Sequence, residues 1–124
     1  MTYEELDQLV ISWGEEKDLI KEENIGKQFM KFIEEVFEFR DELTKSSYIV
    51  DMKKQLRGQG LNLHIDGSFT KSLKLEMGDI LVTLIILSAQ LDIDLVECLE
   101  MAYQKISKRK GKTIDGLFVK EEDL

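Results

Sequence analysis

The chain has no proline. Nothing in its 124 residues therefore forces a helix to break or kink. It has one cysteine, Cys98, so an intrachain disulfide is excluded, as is a zinc site built on several thiolates. One histidine, His64, leaves no room for a His-rich metal centre, and one Cys with one His offers no Ser-His-Asp or Cys-His catalytic set. Long hydrophobic runs are also missing. The longest uncharged apolar stretch, Ile80 to Leu91, is too short to span a bilayer and reads as a buried helix. The N-terminal MTYEELDQLV has neither the basic stretch nor the apolar run of a signal peptide, which points to a cytoplasmic protein. Cations are outnumbered, 17 Lys and Arg against 25 Asp and Glu, and the net charge of −8 argues against nucleic acid or acidic membrane as partner.

What is present is apolar residue in helical rhythm, in a chain whose length suits one domain, 1–124. Leu6, Leu9, Val10 and Trp13 fall at i, i+3, i+4, i+7, the inward face expected of a first amphipathic helix. Thr2 and Glu5 form a capping box at its start. A second helix is predicted from about Gly26 to Leu43, with Phe29, Phe32, Ile33, Val36, Phe39 and Leu43 as its apolar stripe. Tyr48, Ile49, Met52 and Leu56 can continue it. Gly58, Gly60 and Asp66-Gly67 then mark a loop region over 58–70, and the alternation Leu61, Leu63, Ile65 suggests a short hairpin arm there. A third helix, about Lys71 to Leu91, is apolar nearly all round beyond Ile80 and should be the central element. Asp94 and Glu97 cap a fourth, which Gly111 ends, and the tail from Thr113 reads as extended. The fold class expected is all-α, four-helix-bundle-like.

The chemistry lies in four acids. Glu35 and Glu38 on the second helix, and Glu76 and Asp79 on the third, are pairs three residues apart, so each pair shares a helix face. Glu35 and Glu38 are expected on the polar flank of their helix, in one strip with Lys31 and Glu42. Glu76 and Asp79 open a helix heading into the core, where clustered acids are costly unless a cation neutralises them. Mg²⁺, a hard ion that takes oxygen ligands and keeps substrate phosphates in its shell, is the natural partner, with Mn²⁺ as a substitute. The competing reading is a solvated acidic face and a helix start favoured by its dipole. Against the acids stands one basic segment, Lys105 to Lys112, with five cations; the remainder of the chain carries −13. It suits a small anionic ligand or a helix C-terminus. The GKT at Gly111 to Thr113 is no phosphate loop, because Ile106 stands where the first glycine is required.

The stretches FIEEVFEFRDEL and LEMGDILVTLIIL together resemble the MazG-type all-α nucleoside triphosphate pyrophosphohydrolases, whose hallmark is an ExxE pair on one helix and an ExxD pair on the next. Trp13, Gln28 and Lys31 match a W…Q…K arrangement ahead of the acids, and the ending AYQKISKRKGKTIDGLFVKEEDL is similar to that of short MazG-like proteins of bacteriophages of Gram-positive hosts. The resemblance implies that Glu35, Glu38, Glu76 and Asp79 bind Mg²⁺ and form the catalytic centre. It implies cleavage of a (deoxy)nucleoside triphosphate between the α and β phosphates, giving a monophosphate and pyrophosphate. Lys105 and Arg109 match a K-x-x-x-R arrangement on the fourth helix that contacts phosphates, Lys31 is a further candidate for them, and Trp13 either stacks on a base or belongs to the core. A homodimer or dimer of dimers would complete the apolar surface. Departures are the long gap from Thr44 to Lys74 and Gln104, where relatives often have Asn. The alternatives are a relative acting on dUTP, dCTP or an alarmone, and a non-catalytic helical interaction module that retains the metal site.

Overall fold

A computed structural model describes residues 1–61 and 68–124, with the side chains of 68 and 69 also left aside. His64 and residues 62–67 of the expected hairpin arm lie outside the described residues. The chain forms two compact units, Met1–Asp92 and Ile93–Leu124. The fold is all-α, with one small two-stranded sheet.

The first unit contains α1 (Tyr3–Glu16), a 3₁₀ turn (Glu22–Asn24), α2 (Ile25–Gly58) and α3 (Ser68–Gln90). The capping box at the start of α1 forms as expected. Glu5 N–H donates to Thr2 Oγ1 at 3.1 Å, and Thr2 N–H donates to Glu5 Oε2 at 3.2 Å. The helix closes with Asp18 in the left-handed region, φ 63°, where Leu19 N–H reaches Gly14 O and Asp18 N–H reaches Glu15 O. That pair of bonds satisfies the last carbonyls.

The buried face of α1 is Asp7, Val10, Ile11 and Gly14, turned by one residue, roughly 100°, from the expected Leu6, Leu9, Val10 and Trp13. Close approach is the reason. A Cβ on Gly14 would lie 2.5 Å from Ile86 Cδ1, so only glycine lets α1 settle this near α3. Leu6, Leu9 and Trp13 are left on the outside.

With no proline to stop it, α2 runs unbroken for 34 residues, about 51 Å. It continues well past Leu43 to Gly58, and the left-handed Gly60 follows its end. Its less exposed positions include Ile25, Gln28, Phe32, Glu35, Phe39, Glu42, Ser46, Ile49, Lys53 and Leu56, which alternate by three and four, with Ile33 and Met52 beside that row. This is the 3.5-residue rhythm of a helix laid along a partner. The seam against α3 therefore includes Gln28, Glu35 and Glu42, while Phe29, Val36, Leu43 and Val50 repeat every seven residues on the outside. α3 starts three residues before Lys71, so Gly58 and residues 68–70 of the expected arm are helical. It is the central element, as predicted. Ile85 and Ile86 form its apolar core, Ile86 being 1% exposed, and the buried Thr83 and Ser88 hydroxyls donate to carbonyls three residues back.

In the second unit, Asp94 Oδ1 accepts from Val96 N–H at 2.9 Å and caps α4 (Leu95–Ile106). The helix stops five residues before Gly111. Arg109 N–H turns back to Ile106 O, and Lys110 O accepts from Glu121 N–H as the chain enters β1 (Gly111–Ile114). β1 pairs antiparallel with β2 (Leu117–Lys120), Gly111 opposite Lys120 and Ile114 opposite Leu117. Asp115 and Gly116, at φ 51° and 81°, make the two-residue turn, a pairing whose backbone twist matches that of the strands. The tail is thus extended but folded on itself. Gly111 belongs to the strand, where a Cβ would overlap the Val119 carbonyl and the Phe118 ring.

Candidate metal centre

The seam between α2 and α3 builds the site. The Gln28 side-chain amide donates to Thr83 O at 3.3 Å. Moving toward the middle of α2 and toward the start of α3, Glu35 meets Glu76. Carboxylate oxygens of Glu35, Glu38 and Glu76 all lie within 4.8 Å of one another. Glu35 is not on a polar flank, as its spacing suggested. It is 7% exposed and sits in the seam, because the 3.5-residue rhythm rather than the apolar stripe decides what faces α3. Glu76 is half-buried and Glu38 is exposed at the rim.

This arrangement is electrostatically unfavourable by itself. Glu38 titrates above the usual carboxylate range, chiefly through the adjacent Glu35 carboxylate, whose charge it faces. Glu76 is also raised, first by burial and then by the charges of Asp79, Glu35 and Glu42, with Lys45 opposing. Glu35 Oε2 and Glu76 Oε2 are buried without a hydrogen-bond partner. Two buried carboxylate oxygens without a partner are costly, and a cation bound between them would offset that cost. The donors are all hard oxygens at mutual distances one small ion can bridge, so the residues present fit Mg²⁺ or Mn²⁺.

Of the other expected site residues, Asp79 follows Glu76 by three on α3, is exposed, and lies outside the three-carboxylate group, acting on Glu76 through its charge. Lys31 Nζ is 3.2 Å from Glu35 Oε1 and 3.5 Å from Glu34 Oε2. Trp13 is 46% exposed on the outer face of α1. In the second unit, Lys105 is in the last turn of α4, but Arg109 lies beyond the helix end, so the two do not share a helix face. Glu42 was legible only as a neighbour in the strip. It stands seven residues after Glu35 in the same seam, pairs with Lys45 at 3.4 Å and adds to the field on Glu76. Its i, i+7 spacing from Glu35 was the signal.

A family model described as the MazG nucleotide pyrophosphohydrolase domain matches residues 27–114, which include all four acids. No curated protein and no solved structure matches the chain.

Proposed function

The chain belongs to the MazG nucleotide pyrophosphohydrolase family, and we propose that it is a Mg²⁺-dependent enzyme cleaving a (deoxy)nucleoside triphosphate to the monophosphate and pyrophosphate. The observation that carries the proposal is the pair of buried, partnerless oxygens, Glu35 Oε2 and Glu76 Oε2, in a group of three carboxylates. Such a group makes sense as a cation's ligand set.

Glu35, Glu38 and Glu76 would hold the ion, with Asp79 as the fourth, outer acid. When bound, the cation supplies charge neutralisation for the phosphate chain and lowers the pKa of bound water. The chain's own contribution is positional. The α2–α3 seam fixes Glu35 and Glu76 on rigid helices and shields their inner oxygens from water. Glu38, exposed at the rim of the group, is placed to orient an attacking water. No protein nucleophile is required. Lys105 and Arg109 are the cations that the family resemblance assigns to phosphate, and Trp13 is a candidate base contact.

A second copy of the chain would cover the outer stripe Phe29, Val36, Leu43 and Val50 together with Leu6, Leu9 and Trp13, giving a homodimer or a dimer of dimers. Among the described residues no helix is long and apolar enough to cross a membrane, and the enzyme is proposed to act in the cytoplasm. The test is pyrophosphate release from a panel of ribo- and deoxynucleoside triphosphates with Mg²⁺, Mn²⁺ or EDTA. Metal-dependent release from some of them is expected. Release from none by folded, metal-binding protein would overturn the proposal.

A further inference from the structure

The two oxygens of Glu35 are in different circumstances. Oε1 has the Lys31 ammonium 3.2 Å away, whereas Oε2 is buried and has no hydrogen-bond partner. Lys31 is itself tethered from outside. It is half exposed, and its Nζ is 3.5 Å from Glu34 Oε2, on the residue next to Glu35. Glu34, Lys31 and Glu35 thus form a short relay on one face of α2, from solvent into the α2–α3 seam.

We propose that Lys31 is a positioning residue for the cation: by engaging Glu35 Oε1 it fixes the carboxylate's rotation and leaves Oε2 as the donor atom. This rests on the metal-site reading above. A carboxylate ligand is a good one only if its lone pairs are already aimed, and the outer partners that aim it are worth 10–100-fold in affinity, order of magnitude. An opposing effect exists, because Lys31 repels a cation bound next to Glu35. Lys31 is half exposed, however, so water weakens that repulsion, and orientation should outweigh it. The two effects predict opposite signs. A cation that merely neutralises acids, when deleted, tightens metal binding; a positioning cation, when deleted, weakens it.

The experiment is Mn²⁺ binding to the full chain without nucleotide, measured by titration calorimetry, with the fold checked by circular dichroism. Lys31→Met should weaken Mn²⁺ binding by roughly 10–100-fold. Lys31→Arg, which keeps a donor at that distance, should restore most of it. Glu34→Gln, on an exposed side chain, should cost about two- to fivefold by loosening the tether. It decides the matter if Lys31→Met does not fold. Equal or tighter Mn²⁺ binding by Lys31→Met overturns the proposal, as does Lys31→Arg behaving like Lys31→Met. So does a defect confined to a raised KM for nucleotide, which would make Lys31 a phosphate contact. If the parent chain binds no Mn²⁺, the metal-site reading falls with it. If the parent binds and Lys31→Met is unchanged, only the role of Lys31 falls.

Discussion

The Gln28 side chain donates to the backbone carbonyl of Thr83, 55 residues away, at 3.3 Å. Seven residues further along α2 is Glu35, and seven residues back along α3 is Glu76. The bond therefore pins the register of two antiparallel helices two turns from the carboxylates whose meeting depends on it. Gln28→Leu should cost about 1 kcal/mol of stability, the usual worth of one such bond. It should also weaken Mn²⁺ binding, although residue 28 is no ligand. Urea unfolding and calorimetry measure the two effects. Unchanged Mn²⁺ affinity would show that packing alone holds the register.

Removing the Glu35 charge tests the centre directly. Glu35→Gln is nearly isosteric and takes a buried anion out of the seam, so the chain should stay folded. Pyrophosphate release should fall on the order of 100-fold or more, as when one charge-stabilising group is lost from a transition state. Full activity in this variant would place the chemistry elsewhere and favour a non-catalytic role for the acid cluster.

Glu38 and Glu76 give the metal-free protein a pH dependence with a definite sign. Their carboxyls are raised, Glu38 by Glu35 and Glu76 by burial and Asp79, so the folded chain holds these protons more tightly than the unfolded one. Below the ordinary carboxylate range both states are protonated and the groups contribute nothing to the difference. As pH climbs from that range through the raised values, the folded state loses protons it prefers to keep, and stability falls. In EDTA at neutral pH, Glu76→Gln and Glu38→Gln should melt above the parent, and the advantage should vanish near pH 4 and below. With Mg²⁺ the order should reverse. Glutamine variants that melt lower in EDTA at pH 7 would contradict the strain described.

Gly14→Ala sets two effects against each other. Alanine is favoured over glycine inside a helix by about 1 kcal/mol. Here its methyl would meet Ile86 Cδ1 at 2.5 Å and Ile20 Cδ1 at 3.0 Å, and overpacking costs about 1–3 kcal/mol. The net expected is destabilisation, read as a lower urea midpoint. A stabilised variant would mean that α1 is free to shift away from α3.

Much of this was legible from residue types alone, where the determining interactions are local. The Thr2–Glu5 box and the Asp94 cap are decided within three residues, and the apolar run after Ile80 leaves α3 nowhere to go but the centre. Other features depend on contacts that local spacing does not carry, among them the end of α4 at Ile106 rather than at Gly111. The apolar residues of α1 mark its apolar face, but Gly14 decides its buried face, and contact with Ile86 is not a property of the helix. Glu35 seemed to flank a stripe because an apolar tally ignores which face a neighbouring helix occupies. The tail is extended as expected, and its return as a hairpin turns on Asp115-Gly116 between Ile114 and Leu117. Of the site, the two acid pairs could be found by spacing. That Glu35, Glu38 and Glu76 converge while Asp79 stands apart depends on the crossing of α2 and α3.

The outer stripe of α2 has a consequence for dilution. If a second copy covers Phe29, Val36, Leu43 and Val50, unfolding one assembled pair liberates two independent chains, and mass action enters the balance. Each tenfold drop in protein concentration then removes about 1.4 kcal/mol from the apparent stability of the pair. The melting temperature becomes a function of how much protein is in the tube. Putting an aspartate at Leu43 should abolish that dependence by keeping the copies apart at every concentration.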